Sequence, residues 1–411
     1  MILASDNRFE PLLPLPIPLY QCQCIAYKHE ILICGGQYKI DCYSYHTVKN
    51  EYKYICSYPR RIILIGHCVV KLNSNTNPNE ITLLSFGGAY KHALIMKYVS
   101  VWDSDSEDKK EEKSKIEKSK YLNEWLRFKD NNNKQISIGA ENANYEGARA
   151  VIGGSKKHLL FITYSPKNID IFNLNTFQCV THTSMPVSIG LCYHNFVIRE
   201  NEKELSVIKI EKKKTELILF FNDMGLAIDY DETIDRVRYF KIHTCSSIIF
   251  GCRCIYINDI FIFFNALNRE IYKYSTIENK WMQFEHTLPI RLDGCAVILN
   301  EDKTFVHIIG GKGGNETHVR TKAEEWMKNE TEKEKQSVLR EAEMREIKVI
   351  ERHKNGLTNP YTIENIFQKY KSKVDNICYH ICNKNKNKNK KMKIRFSFII
   401  KIEAKEYHNY H

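Results

Sequence analysis

The sequence predicts an all-β fold, a six-bladed β-propeller, for residues 9–326. Three observations lead to this prediction: a strand–turn–strand unit recurs along the chain, six pairs of apolar segments accompany it, and aromatic residues are abundant. The 411 residues include 24 Tyr and 19 Phe, and 43% of them are hydrophobic. Broad aromatic side chains pack well on pleated sheets, and this much apolar sequence is enough for a large core.

The recurring unit places an aromatic residue seven positions before a second apolar residue. The four pairs are Tyr45 and Tyr52, Phe172 and Cys179, Tyr230 and Val237, and Tyr274 and Trp281. A polar turn separates the two members of each pair, and a proline follows in every unit except the one at Tyr230. Because a hairpin followed by a proline that stops strand pairing gives this pattern, each unit is predicted to form two outer strands of a blade.

Six pairs of more continuously apolar segments are predicted to form the two inner strands of each blade. The first members are residues 23–27, 67–72, 147–152, 192–198, 252–257 and 294–299, and their partners are 31–34, 81–86, 159–163, 217–221, 260–264 and 305–309. Near-continuous apolar character means that both faces are covered, as they are between neighbouring blades. Six pairs therefore predict six blades.

Double glycines end three of the partner segments, where a tight turn with positive φ is expected. They are Gly35-Gly36, Gly87-Gly88 and Gly310-Gly311. Together with the spaced Tyr274 and Trp281, they resemble the repeat of the kelch family, which carries a double glycine after an apolar strand and then a spaced Tyr and Trp. The resemblance covers about three quarters of the chain, but only one unit keeps both the Tyr and the Trp. Other residues replace the glycines in three units: Tyr164-Ser165, Asn222-Asp223 and Asn265-Ala266.

The sixth unit is incomplete, because residues 317–326 can supply a third strand but no fourth strand follows. Residues 9–16 are left over at the other end of the sequence and resemble the end of a unit. We therefore expect the N-terminal segment to form the outer strand of the sixth blade. Such closure would remove exposed strand edges.

The composition changes from about residue 320. Residues 327–355 predict a charged helix whose apolar positions do not sustain the heptads of a coiled coil, and residues 356–411 predict a basic, low-complexity, disordered tail. Residues 320–411 contain 22 Lys and Arg against 13 Asp and Glu, so they carry most of the chain's net charge of +12. Such a tail could attract nucleic acid or an acidic surface. Because its Asn-Lys alternation offers no aromatic residue for stacking, a solvated tail is the favoured interpretation.

The cysteines and the apolar runs indicate a cytoplasmic protein without a membrane span. Residues 1–9 lack the profile of a secretory signal, and no apolar run approaches the roughly 20 residues that cross a bilayer. Cys22 and Cys24 are two residues apart on a predicted strand, and so are Cys252 and Cys254. Residues two apart on a strand share a face, and we expect all four cysteines to be buried and structural. The cluster of Cys378, His380 and Cys382 has no second ligand pair, so no zinc site is expected.

No motif for catalysis or for a cofactor is found. The sequence has no sialidase-like Ser-x-Asp-x-Gly turn and no motif of the kelch-like copper oxidases, and the glycines at 310–314 lack the spacing of a phosphate-binding loop. His67, His194 and His307 stand within apolar strands and are interpreted as core histidines. A non-enzyme without a cofactor is therefore expected.

The kelch resemblance implies a protein-interaction scaffold, since kelch propellers commonly recruit partners such as actin filaments or substrates of ubiquitin ligases. No BTB or F-box adaptor is recognisable. With the strands of each blade lettered a to d from the centre outward, the long insertions 73–80, 104–120 and 201–215 all lie on the face of the a–b and c–d turns. The opposite face, made of b–c and d–a loops, is therefore the predicted partner surface. Its predicted exposed contacts are Arg60, Arg61, His67, Lys91, His92 and Arg291.

The alternative function is that of an enzyme or a carbohydrate-binding propeller acting at the central opening. The sequence identifies neither the partner nor the oligomeric state.

Overall fold

The computed structural model describes residues 8–73, 77–103, 121–140, 142–187, 190–199, 213–222, 224–245, 252–312 and 316–356, with side chains as far as residue 345. The chain divides into two compact units, Met1–Lys335 and Gln336–His411. The strands that the structure describes belong to the first unit.

These strands form six four-stranded antiparallel sheets, each of which is one blade. Blade one comprises β2 (Gln23–Tyr27), β3 (Glu30–Gly36), β4 (Lys39–His46) and β5 (Glu51–Ser57). Blade two comprises β6 (His67–Leu72), β7 (Glu80–Gly87), β8 (Ala93–Val99) and β9 (Leu126–Arg127). Blade three comprises β10 (Arg149–Gly153), β11 (Leu159–Tyr164), β12 (Asn168–Asn173) and β13 (Gln178–Ser184).

The other three blades have the same order from the inner to the outer strand. Blade four comprises β14 (Asn195–Ile198), β15 (Lys214–Phe221), β16 (Met224–Asp231) and β17 (Arg236–Ile242). Blade five comprises β18 (Arg253–Ile257), β19 (Ile260–Phe264), β20 (Glu270–Ser275) and β21 (Lys280–Thr287). Blade six comprises β22 (Ala296–Leu299), β23 (Phe305–Ile309), β24 (His318–Lys322) and β1 (Glu10–Pro11).

The innermost strands contact one another in a closed ring, β2–β6–β10–β14–β18–β22 and back to β2. The apolar core is divided into layers between successive blades. Leu32 of blade one and Leu83 of blade two, for example, are both fully buried in one such layer. The predicted six-bladed β-propeller is therefore confirmed.

The seven-residue spacing in the sequence sets the pairing of the two outer strands. Each predicted pair is directly opposed across its hairpin: Tyr45 with Tyr52, Phe172 with Cys179, Tyr230 with Val237, and Tyr274 with Trp281. The aromatic residues of the repeat are buried between blades, namely Tyr45, Phe172, Tyr230, Tyr274 and Trp281. Burial of these large side chains fixes the register, because a slip of one residue would turn them outward.

The N-terminal segment closes the ring as predicted. In β1, Glu10 pairs with Arg320 and Pro11 with Val319 of β24. Beyond the strand, Leu12 N donates to His318 O at 2.9 Å. Nearby, Trp326 is fully buried with Phe9, Phe264 and Phe284 around it, at ring-centroid distances of 5.7, 5.9 and 5.0 Å.

Two helical segments follow the last blade. A short 3₁₀ helix spans Ala323–Trp326, and α1 spans Glu332–Gly356. The side chain of Glu334 accepts from Thr331 N at 2.9 Å while Thr331 Oγ1 accepts from Glu334 N at 3.3 Å, which is a capping box. Among the described residues, no helix combines the length and apolar character that a membrane span requires. The basic tail from residue 357, with Cys378, His380 and Cys382, and the insertion 104–120 lie outside the described residues.

Candidate functional site

The face made of b–c and d–a loops, here called the upper face, contains a surface where blades one and two meet. Backbone hydrogen bonds join three loops there. Tyr38 N donates to Leu64 O at 2.9 Å, and Ala89 N donates to Ile65 O at 3.0 Å. The b–c loops of both blades are thereby fixed to the d–a loop that connects them. Side chains on these loops are presented by one rigid platform.

Aromatic, apolar and cationic side chains are exposed on this platform. Tyr38 is 67% exposed, Tyr90 56% and Ile63 43%. Arg60, Arg61 and Lys91 are also exposed. We call these six residues the arginine–tyrosine patch. The amine of Lys91 donates to Ala140 O at 2.7 Å, which fixes part of the patch against the next loop.

The structure brings only some of the predicted contact residues together. Arg60, Arg61 and Lys91 share the patch, whereas Arg291 is exposed on the separate loop between β21 and β22. The exposure predicted for His67 is wrong. It begins an inner strand, is 1% exposed, and donates through Nε2 to Cys34 O at 3.0 Å. His92 is also a poor surface contact, because it is half-buried with Nε2 2.8 Å from Ser85 Oγ.

Burial keeps these two imidazoles uncharged. It lowers the pKa of His67 to about 3, helped by repulsion from His92, and it lowers the pKa of His92 to about 4. The interpretation of His67, His194 and His307 as core histidines is confirmed, since none is more than 1% exposed.

A second feature of the upper face is the mouth of the central channel, where residues with left-handed backbone precede the inner strands. They are Gln21, Gly66, Gly147, Tyr193 and Gly294, with φ from 54° to 68°. Hydrogen bonds join several of them: Gly147 N donates to Gly66 O at 2.9 Å, and Tyr193 N donates to Gly147 O at 2.8 Å. At these residues the backbone turns from a loop of the upper face into the inner strand that follows. The inner strands of blades three, four and six consequently begin two or three residues later than the apolar segments predict.

Below this mouth lies an axial cavity of about 190 Å³. It is lined by residues of the inner strands of blades one, three, four, five and six and by the residues that immediately precede three of these strands. The lining comprises Cys22, Gln23, Cys24, Arg149, His194, Asn195, Phe196, Val197, Arg253, Cys254, Cys295, Ala296 and Val297.

Arg149 and Arg253 give the axial cavity its charge. Arg149 donates to His194 O at 3.1 Å and to Ala148 O at 3.0 Å, and Arg253 donates to Cys295 O at 3.3 Å and to Tyr193 O at 2.9 Å. Within the described part of the chain, neither guanidinium forms a salt bridge with a carboxylate. Burial and the charge of Arg253 lower the pKa of Arg149, so the two cations lie close enough to repel each other.

Two acid–tyrosine pairs lie close to these cations. The Tyr193 hydroxyl donates to Glu146 at 3.1 Å, and the Tyr20 hydroxyl donates to Asp293 at 3.5 Å. Burial raises the pKa of Tyr193, the charge of Glu146 raises it further, and the charge of Arg149 offsets part of that rise. Each acid is thus joined to a phenol. The hydrogen bonds of the two guanidinium groups to described residues go to backbone carbonyls, and Arg149 also lies over the Tyr193 ring, 5.8 Å from its centroid.

Cysteines occupy another part of the cavity wall. Cys22 and Cys252 are buried as predicted, but Cys24 and Cys254 are only half-buried because they face the axial cavity. The Sγ atoms of Cys22 and Cys24 are 4.0 Å apart. Burial raises the pKa of Cys254 and Cys295 to about 12, so these thiols stay protonated at neutral pH. No group of three His, Cys, Asp or Glu residues in the described part of the chain is placed to hold a metal ion.

Comparison with known proteins supports the fold only. No known family model matches the chain, and no curated protein sequence does. The structure of YjhT matches with a TM-score of 0.50 at 14% identity, covering 75% of this chain and 95% of that one. An auxiliary nutrient binding protein from Bacteroides thetaiotaomicron matches with a TM-score of 0.43 at 9% identity, covering 75% of this chain and 69% of that one. A chain of the Mitotic Checkpoint Complex matches with a TM-score of 0.42 at 9% identity, covering 78% and 95%.

Proposed function

We propose that this protein is a non-catalytic interaction scaffold of the kelch-repeat type, which binds a protein partner through the arginine–tyrosine patch. The observation that carries the proposal is the patch itself. Tyr38 and Tyr90 are large, exposed side chains on two loops that backbone hydrogen bonds join to the loop of Arg60 and Arg61. Tyr and Arg are enriched among the residues that dominate the binding energy of protein interfaces.

The chemistry of the patch selects the kind of partner. Arg60 and Arg61 are exposed cations on one turn, and Lys91 adds a third on the neighbouring loop. Guanidinium groups bind carboxylates through paired hydrogen bonds, while the faces of Tyr38 and Tyr90 accept apolar contacts. The expected partner therefore presents a segment with both acidic and apolar side chains.

Rigid loops favour binding because little conformational entropy is lost when the partner docks. In blade two, the b–c loop that carries Tyr90 and Lys91 is fixed at its start, where Gly88 N donates to Tyr145 O at 3.1 Å. Charge on the patch should also speed association with an acidic segment, and added salt should slow it.

The test is quantitative affinity purification from cell lysate with the wild-type chain and two charge-reversed variants. The double variant Arg60→Glu with Arg61→Glu reverses two of the positive charges of the patch. Arg236→Glu with Arg238→Glu makes the same change of charge on exposed residues of the outer strand β17 in blade four. A partner of the patch should be recovered at least tenfold less with the first variant and unchanged with the second. Recovery of the same proteins with all three chains would overturn the proposal.

A further inference from the structure

We propose that the axial cavity binds a small oxyanion, a carboxylate or a phosphate, between Arg149 and Arg253. This site is separate from the arginine–tyrosine patch, and neither proposal depends on the other.

The first argument is the unbalanced charge of the cavity. Two guanidinium groups line it, and neither has a carboxylate partner in the described part of the chain. Each donates through Nε and one Nη to backbone carbonyls of its own or the adjoining blade, which holds the guanidinium in place. Both side chains are half-buried. Because charged groups that are partly withdrawn from water are normally paired, a bound anion would supply the counter-charge that these two guanidinium groups do not find among the described residues.

The second argument is the electrostatic repulsion among the groups that line the cavity. Burial lowers the pKa of Arg149 first, and the nearby charge of Arg253 lowers it further. His194, which lines the same cavity, has its pKa lowered by burial and by both guanidinium groups. An oxyanion bound between the arginines would relieve this repulsion and form charge-assisted hydrogen bonds with their remaining N–H groups.

The third argument is a buried acceptor in the cavity wall. His194 is 1% exposed, and its Nε2 is 2.6 Å from Thr163 Oγ1. The single hydrogen of Thr163 Oγ1 is donated to Arg149 O at 3.3 Å, so the same oxygen accepts a hydrogen bond from His194 Nε2. The neutral imidazole therefore has its proton on Nε2 and a lone pair on Nδ1. That Nδ1 has no hydrogen-bond partner among the described residues. A ligand with a hydroxyl beside its oxyanion would satisfy it.

The size of the cavity limits the ligand. A volume of about 190 Å³ equals the space of about six water molecules in the liquid. Small acids and inorganic phosphate fit this volume. Large nucleotides and oligosaccharides do not.

The test uses the full chain and three probes, inorganic phosphate, malonate and its hydroxylated counterpart tartronate, titrated calorimetrically at constant ionic strength in chloride. The proposal predicts saturable one-site binding of at least one probe. Binding of phosphate alone would identify a phosphate site, and binding of the dicarboxylates alone a carboxylate site. Tartronate should bind more tightly than malonate if its hydroxyl reaches His194. Absence of saturable binding of all three probes would overturn the proposal.

Variants locate the site. Arg149→Gln and Arg253→Gln should each weaken binding at least tenfold, whereas Arg291→Gln, which removes an exposed cation from the same upper face, should leave binding unchanged. Equal losses in all three variants would show that the anion binds the charged face in general, which would contradict the proposal.

A measurement on the wild-type chain covers the case in which the arginine variants do not fold. Arg149 and Arg253 line the cavity, while Arg291 is exposed on the loop between β21 and β22. A bound anion should slow modification of Arg149 and Arg253 by 2,3-butanedione, read by peptide mass spectrometry, without changing the rate at Arg291. Unchanged rates at all three arginines under saturating probe would exclude binding in the cavity.

Discussion

The carboxylate of Glu10 and the guanidinium of Arg320 are joined by two hydrogen bonds, of 2.8 and 2.9 Å, across the junction that closes the propeller. Glu10 is 55% exposed at its side chain. The N-terminal neighbour Phe9 is only 8% exposed and packs against Trp326. The junction therefore combines a solvated ion pair with a buried aromatic contact, and these two should differ in strength.

We predict that Phe9→Ala destabilises the propeller far more than Glu10→Ala. Loss of a buried Phe leaves a cavity and costs about 3 kcal/mol, whereas an exposed ion pair contributes less than about 1 kcal/mol. Urea unfolding of the two variants measures the difference in free energy. If Glu10→Ala is the more damaging change, the closure depends on charge rather than on packing.

A pair of buried histidines predicts that stability falls in acid. His307 Nδ1 and His318 Nε2 are 2.9 Å apart, and the Tyr52 hydroxyl is 2.5 Å from His318 Nδ1. Burial lowers the pKa of His307 to about 3, and burial followed by repulsion from His307 and Arg320 places that of His318 well below its usual value. Below a pH of about 6.5 the unfolded chain binds a proton at each of these imidazoles, whereas the folded chain does not. The free energy of unfolding is therefore highest above that pH and decreases as the pH falls toward 3.

Replacement of His318 should therefore flatten the pH dependence of stability. His318→Gln should reduce the slope of the unfolding free energy between pH 6 and 4 by about 1.4 kcal/mol per pH unit. The control is His29→Gln, because His29 is exposed. Urea unfolding at a series of pH values gives both slopes, and equal slopes for wild type and His318→Gln would contradict this assignment.

A buried carboxylate links blades one and two. Glu30 is 4% exposed and accepts from Ser44 Oγ at 2.6 Å and from the Tyr98 hydroxyl. Tyr98→Phe would remove one donor from this carboxylate and should cost about 1–3 kcal/mol. Tyr27→Phe, which removes a hydroxyl at 3.5 Å from Pro78 O, should cost less. The comparison is made by chemical denaturation, and equal costs would argue against a special role for the Glu30 network.

The channel mouth should tolerate no side chain at Gly66. Its φ is +63°, and a Cβ there would be 2.5 Å from Gly147 N. We expect Gly66→Ala to cost about 1–3 kcal/mol, because the backbone is left-handed and the neighbouring loop would have to move. At Gly190 the nearest atom to an added Cβ is 3.9 Å away, so Gly190→Ala should stay within about 0.5 kcal/mol of wild type. A thermal melt of both variants distinguishes these expectations.

The sequence predicts the blades well because the residues that pair within a blade are close together along the chain. Tyr274 and Trp281 are seven residues apart, and a short turn brings them opposite each other. The ring closure was also predictable, since one unit lacked an outer strand and residues 9–16 had no partner.

The axial arginines were missed because the fold alone brings them together. Arg149 and Arg253 belong to blades three and five, and their hydrophobic neighbours indicate burial without showing what lies across the channel. One signal was present. Each arginine follows a glycine by two positions, Gly147 and Gly251, at the start of an inner strand. The exposure of His67 was predicted wrongly for a related reason. His67 is the first residue of an inner strand, and its ring would be exposed only if it belonged to the preceding loop.

Photo-crosslinking tests the central proposal, binding of a protein through the arginine–tyrosine patch, most directly. A benzoylphenylalanine replaces either Tyr38, in the patch, or Ile277, in the c–d turn of blade five on the opposite face, and both sites are 67% exposed. After irradiation in cells, a discrete protein adduct should form at position 38 and not at position 277, and Arg60→Glu with Arg61→Glu should abolish it. Adducts of equal yield at both positions, or an adduct at position 38 that survives the charge reversal, would contradict binding through the patch.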